Sequence, residues 1–189
     1  MNEFVSVGLI ALGSNLPQPE GDPAENLKRA LREIASDGLV IRAVSRFFQT
    51  PCFPAGAGPD YVNAAVMIAT SLPPRAVLDV LHDIEARMGR TRETRWGMRS
   101  LDLDLIAYDD LVLPDAITAQ IWVNLPPEKQ VLRAPDELIL PHPRLADRAF
   151  VLAPLSDIAP GWRHPVTGLT VAQMLSALPG DAISELRAI

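Results

Sequence analysis

The chain has 189 residues, 48% hydrophobic and 21% charged, with a formal net charge of −6. That composition provides for a packed core and excludes a disordered polar chain, while the acidic balance speaks against a general nucleic-acid or anionic-membrane surface. One cysteine, Cys52, excludes a disulfide framework, a thiolate zinc site and a CxxC pair.

The length suits a single domain over 1–189. The opening Met1-Asn2-Glu3-Phe4-Val5 lacks a basic n-region, and no run approaches about 18 apolar residues. A cytoplasmic enzyme with no nucleic-acid or membrane partner is the expectation, as a monomer or weak homodimer. The carboxyl end reads as complete after the last short helix, with no room for a second domain.

Val5 to Leu12 predicts a buried strand, broken at Gly13-Ser14-Asn15. A polar loop follows, and Pro23 sits near the start of a helix running to about Ser36 with Leu27, Ala30, Leu31 and Ile34 on one stripe. Asp37-Gly38 turns the chain into a second strand, Leu39 to Gln49. Pro51 to Asp60 holds three prolines and two glycines and reads as an extended loop. Tyr61 to Thr70 is a third strand. Ser71-Leu72-Pro73-Pro74 caps a second helix with Val77, Leu78, Leu81, Ile84 and Met88 on its apolar stripe, ending at Gly89. Arg90 to Met98 is a basic loop, and Ser100 to Tyr108 a fourth strand. Leu113 to Glu137 has four prolines and no clean period. Leu145–Leu155 and Val171–Leu178 predict short helices.

The order strand, helix, strand, strand, helix, strand is a split βαβ pattern. It predicts an α+β, ferredoxin-like βαββαβ core with a mostly antiparallel sheet, helices on both sides, and a less regular C-terminal extension.

In the fourth strand, Asp102 and Asp104 alternate with Leu101, Leu103 and Leu105. Aspartate is depleted in strands. Residues two apart on a strand share a face at roughly 6.5–7 Å, where two carboxylates repel unless a cation joins them. Oxygen donors suit Mg²⁺. The bland alternative is an ordinary solvent-facing acidic edge. Arg87, Arg90, Arg92, Arg95 and Arg99 crowd the approach to this strand; each alone reads as a solvated charge, and the group as a phosphate site. Trp96 either packs its loop or covers a flat ligand. Tyr61 and Asn63 share a face, either as an ordinary strand entry or as a stacking ring and amide for a planar heteroaromatic. His142, between two prolines, is a phosphate contact or a surface histidine. His82 pairs with Glu85 along a helix, and His164 is structural. Scattered histidines give zinc no support. The GxxxxGK[ST] pattern of a P-loop is absent.

Ala11-Leu12-Gly13-Ser14-Asn15-Leu16, Thr50-Pro51, Pro59-Asp60-Tyr61-Val62-Asn63-Ala64-Ala65, the block Gly89-Arg90 through Arg95-Trp96-Gly97 to Arg99-Ser100-Leu101-Asp102-Leu103-Asp104, Leu140-Pro141-His142-Pro143, Arg148-Ala149-Phe150 and Pro154-Leu155 recur here in one order. In that order they resemble the 6-hydroxymethyl-7,8-dihydropterin pyrophosphokinases of folate biosynthesis, over nearly the whole chain. The resemblance implies transfer of the β,γ-diphosphoryl unit of ATP to the pterin hydroxymethyl oxygen, with release of AMP. It implies that Asp102 and Asp104 hold two Mg²⁺ ions, and that Arg90, Arg92 and Arg99 grip phosphates. His142, Arg148 and Glu85 would serve ATP. Tyr61, Phe150, Asn63, Thr50, Pro51 and Trp96 would surround the pterin. Three departures stand out: His82 where the family often has glutamine, Pro143 where some members have an aromatic residue, and the segment 114–137, longer than usual for the family, which is expected to be a surface excursion near the active-site rim or an oligomer contact. The competing readings are a non-catalytic ferredoxin-like nucleotide or metal module and a pyrophosphokinase for a related pterin.

Overall fold

A computed structural model of the chain describes residues 5–19, 21–52, 58–89, 100–126, 129 and 135–189. Strand β1 (Ser6–Ser14) leads to helix α1 (Pro23–Ser36), whose first turn is capped by the Asp22 carboxylate accepting from the Glu25 amide. Strands β2 (Val40–Val44), β3 (Phe48–Thr50) and β4 (Tyr61–Thr70) follow, then helix α2 (Pro74–Arg87) and strand β5 (Asp102–Tyr108). Helices α3 (Ala116–Val123), α4 (Ala149–Ile158), α5 (Val171–Ala177) and α6 (Gly180–Ser184) and the short strand β6 (Arg187–Ala188) complete the order.

The sheet runs β5-β1-β4-β3-β6, with β2 also paired to β4, and each of these pairings is antiparallel. β4 lies between β1 and β2, and β1 lies between β4 and β5. These are the two interleaved split βαβ units of a ferredoxin-like α+β fold.

Alternation along the strands fills two cores. Ile10, Leu12, Val66, Ile68, Leu103 and Leu105 face α1 and α2, meeting Leu27, Ile34, Leu81 and Ile84. Leu9, Ala65, Ile106 and Ala107 face the other side, meeting Val151, Leu152 and Leu155 of α4 and Met174 of α5. Helices therefore cover both faces.

Several elements depart from expectation. The strand predicted over Leu39–Gln49 is broken at Ser45, whose hydroxyl accepts the Ala65 amide in place of a ladder carbonyl. Arg46 then turns outward, its amide and guanidinium donating to Asp157 on α4. Leu113–Glu137 holds a helix, α3, which Asp115 starts by accepting from the amides of Ile117 and Thr118. The segment Leu145–Leu155 is a 3-10 turn (Leu145–Asp147) followed by α4, separated by Arg148 in extended conformation. Helix α2 begins at Pro74 behind Pro73, with no side-chain hydrogen bond capping it, so the segment Ser71-Leu72-Pro73-Pro74 leads into the helix without a side-chain cap. It ends as expected at Gly89, whose φ of 78° demands glycine. No helix among the described residues is long and apolar enough to cross a membrane.

Candidate active site

Register builds the site. Asp102 on β5 lies opposite Gly13 on β1, Gly13 opposite Asn63 on β4, and Asn63 opposite Phe48 on β3. Asp104, Ala11 and Ala65 form the neighbouring row. Directly opposed residues share a face, and Leu103 and Leu105 take the α1/α2 face. Asp102 and Asp104 therefore emerge beneath α4. There a cleft is lined by Ala11, Gly13, Asn63, Asp102, Asp104 and Phe150, with Leu12 and Val151. The half-buried acids stand at one end of it and the amide at the other.

Asn63 is fixed from below. Its Nδ2 donates to Thr50 Oγ1 at 2.8 Å, and both side chains are buried. One rung further along, Thr50 pairs with Tyr61, so Tyr61 and Asn63 point the same way, as expected. Pro51 is exposed immediately beyond. Gly13 keeps the middle of the cleft open: a Cβ there would stand 3.1 Å from Asn63 Oδ1.

Helix α4 supplies the roof. Phe150, in its first turn, is 40% exposed, and the Arg148 guanidinium lies 5.7 Å from its ring centroid. Burial lowers the Arg148 pKa, while Asp104, and more weakly Asp102, draw it back up. This arginine therefore balances the acid pair electrostatically.

His142 is held by its own backbone, whose N–H donates to the Ile106 carbonyl at the margin of β5. Burial, helped by Arg148, pushes its pKa down to about 3, against an opposing pull from Asp102. The ring is neutral at pH 7. Its Nδ1 accepts the Arg144 amide at 3.1 Å, which leaves the proton on Nε2. His142 can donate to an anion there and has no lone pair to serve as a base.

Glu85, expected beside the nucleotide, is 1% exposed, and its Oε1 accepts the Leu103 amide at 2.7 Å. His164 is structural, its Nδ1 accepting from Val166 and Thr167. Arg90, Arg92, Arg95, Trp96 and Arg99 lie outside the described residues. Among those described, no group of three or more His, Cys, Asp or Glu could hold a metal. Two carboxylates on one strand face fit Mg²⁺, which takes one or two protein carboxylates and completes its shell with phosphate oxygens and water. Sequence reasoning missed Gly13 and the Thr50–Asn63 bond as parts of the site. The GSN break at residues 13–15 was the available signal, because a glycine facing across to an asparagine becomes meaningful only in register.

The family model for 7,8-dihydro-6-hydroxymethylpterin-pyrophosphokinase (HPPK) matches residues 9–160. The chain belongs to this family. A 2-amino-4-hydroxy-6-hydroxymethyldihydropteridine pyrophosphokinase of Synechocystis is 34% identical over 93% of this chain and 77% of its own length. The correspondingly named protein of Pseudomonas aeruginosa is 34% identical over 94% of both chains, and that of Methylorubrum extorquens 34% identical over 94% of this chain and 96% of its own. Crystalline wild-type HPPK-DHPS of Plasmodium falciparum superposes with a TM-score of 0.63 at 14% identity, over 91% of this chain and 44% of that one. At that identity it supports the fold alone, and this chain spans under half of its length. The HPPK match covers both aspartates, the Thr50–Asn63 pair, His142 and Arg148.

Proposed function

We propose that the protein transfers diphosphate from ATP to the hydroxymethyl oxygen of 6-hydroxymethyl-7,8-dihydropterin, yielding the pterin diphosphate and AMP. The pterin oxygen bonds to the β-phosphorus as the bond from that phosphorus to the α,β-bridging oxygen breaks. The bridging oxygen leaves with AMP, and the hydroxyl proton goes to solvent. The observation that carries this reading is the single row across the sheet: acid, glycine gap, buried amide.

In this reading Asn63 bonds the pterin edge, while Tyr61 and Phe150 flank its ring and Thr50 and Pro51 close the end. Two Mg²⁺ ions held by Asp102 and Asp104 would supply charge neutralisation on the phosphates and acidify the attacking hydroxyl. Arg148 and the Nε2–H of His142 present donors to ATP oxygens from the α4 side. Arg90, Arg92 and Arg99 grip phosphates, and Trp96 covers the pterin. Holding the pterin ring at the amide end and the triphosphate at the acid end of one rigid row brings the acceptor oxygen against the β-phosphorus between them and converts an encounter into an intramolecular-like step. The Nδ1 lone pair of His142 is taken by the Arg144 amide, so this ring supplies no base, and positioning and electrostatics carry the rate.

The test is incubation with ATP, Mg²⁺ and the pterin, followed by chromatography for AMP. Pterin-dependent AMP is the expected product. Folded protein that makes none refutes the proposal, and turnover only with a different pterin would reassign the acceptor.

A further inference from the structure

Asp102 and Asp104 are held unequally. Asp104 sits inside the ladder, opposite Ala11, with paired residues on both sides. Asp102 is the first residue of β5, and the chain before it has already left the sheet. A strand terminus is the part of a sheet that frays first, yet a ligand pair needs both members in place.

Buried polar groups act on both flanks of that terminus. On one side the Ser14 hydroxyl donates to the Ser100 carbonyl at 2.6 Å. Asn26 Nδ2, reaching in from α1, donates to Ser14 Oγ at 3.2 Å, to the Leu16 carbonyl at 2.9 Å and to the Ser100 carbonyl at 3.4 Å. On the other side the Leu103 amide, on the outer margin of β5, donates to Glu85 Oε1. Ser14 and Asn26 are fully buried, and Glu85 is 1% exposed. Polar groups withdrawn this far from water are costly unless bonded, and one bond from each of the three side chains falls on the backbone within two residues of Asp102. None of these side chains reaches the cleft lining.

We propose that Ser14, Asn26 and Glu85 are positioning residues, a buried brace on both flanks of Asp102 that fixes it relative to Asp104 and so sets the metal affinity of the pair. The inference rests on the reading of these aspartates as metal ligands. It also gives the Gly13-Ser14-Asn15 break a purpose: Gly13 opens the cleft while Ser14 anchors the strand beside it. Glu85 then serves the nucleotide through the β5 backbone.

The experiment is an electron paramagnetic resonance titration of Mn²⁺ into the full chain with a non-hydrolysable ATP analogue, with thermal unfolding measured in parallel. Glu85→Leu removes the acceptor for Leu103, and Ser14→Ala removes the donor to Ser100. Each is expected to weaken Mn²⁺ binding by about 10–100-fold, the usual effect of losing an outer-shell support. Glu85→Gln and Ser14→Thr keep the acceptor and the donor, and both should bind Mn²⁺ close to wild type. A lowered Tm with unchanged Mn²⁺ affinity in Glu85→Leu and Ser14→Ala would overturn the proposal, reducing the brace to a folding element. If Glu85→Leu fails to fold, Ser14→Ala alone decides. Asp104→Asn separates the two ideas. If it leaves Mn²⁺ binding intact, the metal reading itself fails; if it abolishes binding while the brace variants bind normally, only the positioning role fails.

Discussion

Gly13→Ala isolates the gap between the acid pair and the buried amide. The new Cβ would stand 3.1 Å from Asn63 Oδ1, so the carboxamide must give by a few tenths of an ångström. It cannot move freely, because its Nδ2 is tied to Thr50 Oγ1 at 2.8 Å. Losing or misaligning one such hydrogen bond to the pterin costs about 1–1.5 kcal/mol, which corresponds to about a tenfold rise in pterin KM. Fold stability should change little, since the methyl enters an open cleft. Gly8→Ala is the matched control on the same strand. Its Cβ would meet Ile68 Cγ1 at 3.0 Å in the opposite core, where overpacking costs about 1–3 kcal/mol of stability and should leave pterin KM alone. AMP formation with pterin as the varied substrate, together with thermal unfolding of both variants, makes the comparison. A Gly13→Ala protein with wild-type KM, or one that loses stability as Gly8→Ala does, would refute the assignment of Gly13 to the cleft floor.

Asp104→Asn keeps size and removes charge; turnover should fall to background while circular dichroism stays unchanged, and near-wild-type AMP production would contradict the metal role. Thr50→Val leaves the buried Asn63 amide without its acceptor, which should cost about 1–3 kcal/mol in denaturant unfolding and raise pterin KM; a variant neutral in both measurements would exclude the support role. Acid titration has a definite sign. His142 is depressed to about 3 in the fold from roughly 6.5 in the unfolded chain, so between those values the unfolded state binds the extra proton. Its contribution to stability is complete above about 6.5 and declines as pH falls toward 3. His142→Gln should flatten the pH dependence of urea unfolding across that window, and an unchanged slope would count against it.

The parts of the fold readable in the sequence were those where a single periodicity ruled. Tyr61–Thr70 is recovered to the residue, and the helix Pro23–Ser36 is found where Pro23 and a regular apolar stripe agree. The Asp102/Asp104 alternation likewise placed both acids on one face, because strand geometry alone dictates it. What stayed hidden depended on partners distant in sequence. Ser45 breaks a good strand pattern only because Ala65 is there to bond its hydroxyl. Glu85 looks like any exposed helical acid until the β5 margin is laid against it. Helix α3 has apolar residues around much of its circumference, with Ile117 and Ile121 exposed, so no stripe announced it. Its Asp115 cap was the only local sign. Strand β6, two residues long, exists through pairing with β3 and carries no pattern of its own.

The two margins of the sheet differ in their capacity for self-association. An unpaired strand edge is a template for further strands, and proteins blunt it with charge or cover. The margin formed by β5 is already closed: Glu85 takes the Leu103 amide and His142 donates to the Ile106 carbonyl. The strand bearing the two aspartates thus has these backbone groups sealed against a foreign chain. The margin formed by β2 has no neighbouring strand among the described residues, and it exposes Val40 and Val44 around Arg42. The ladder of β2 also shifts register between Ile41 and Ala43, so a cation and an irregular edge together oppose growth of concentrated protein edge to edge. Arg42, far from the cleft, matters for solubility as the brace matters for metal.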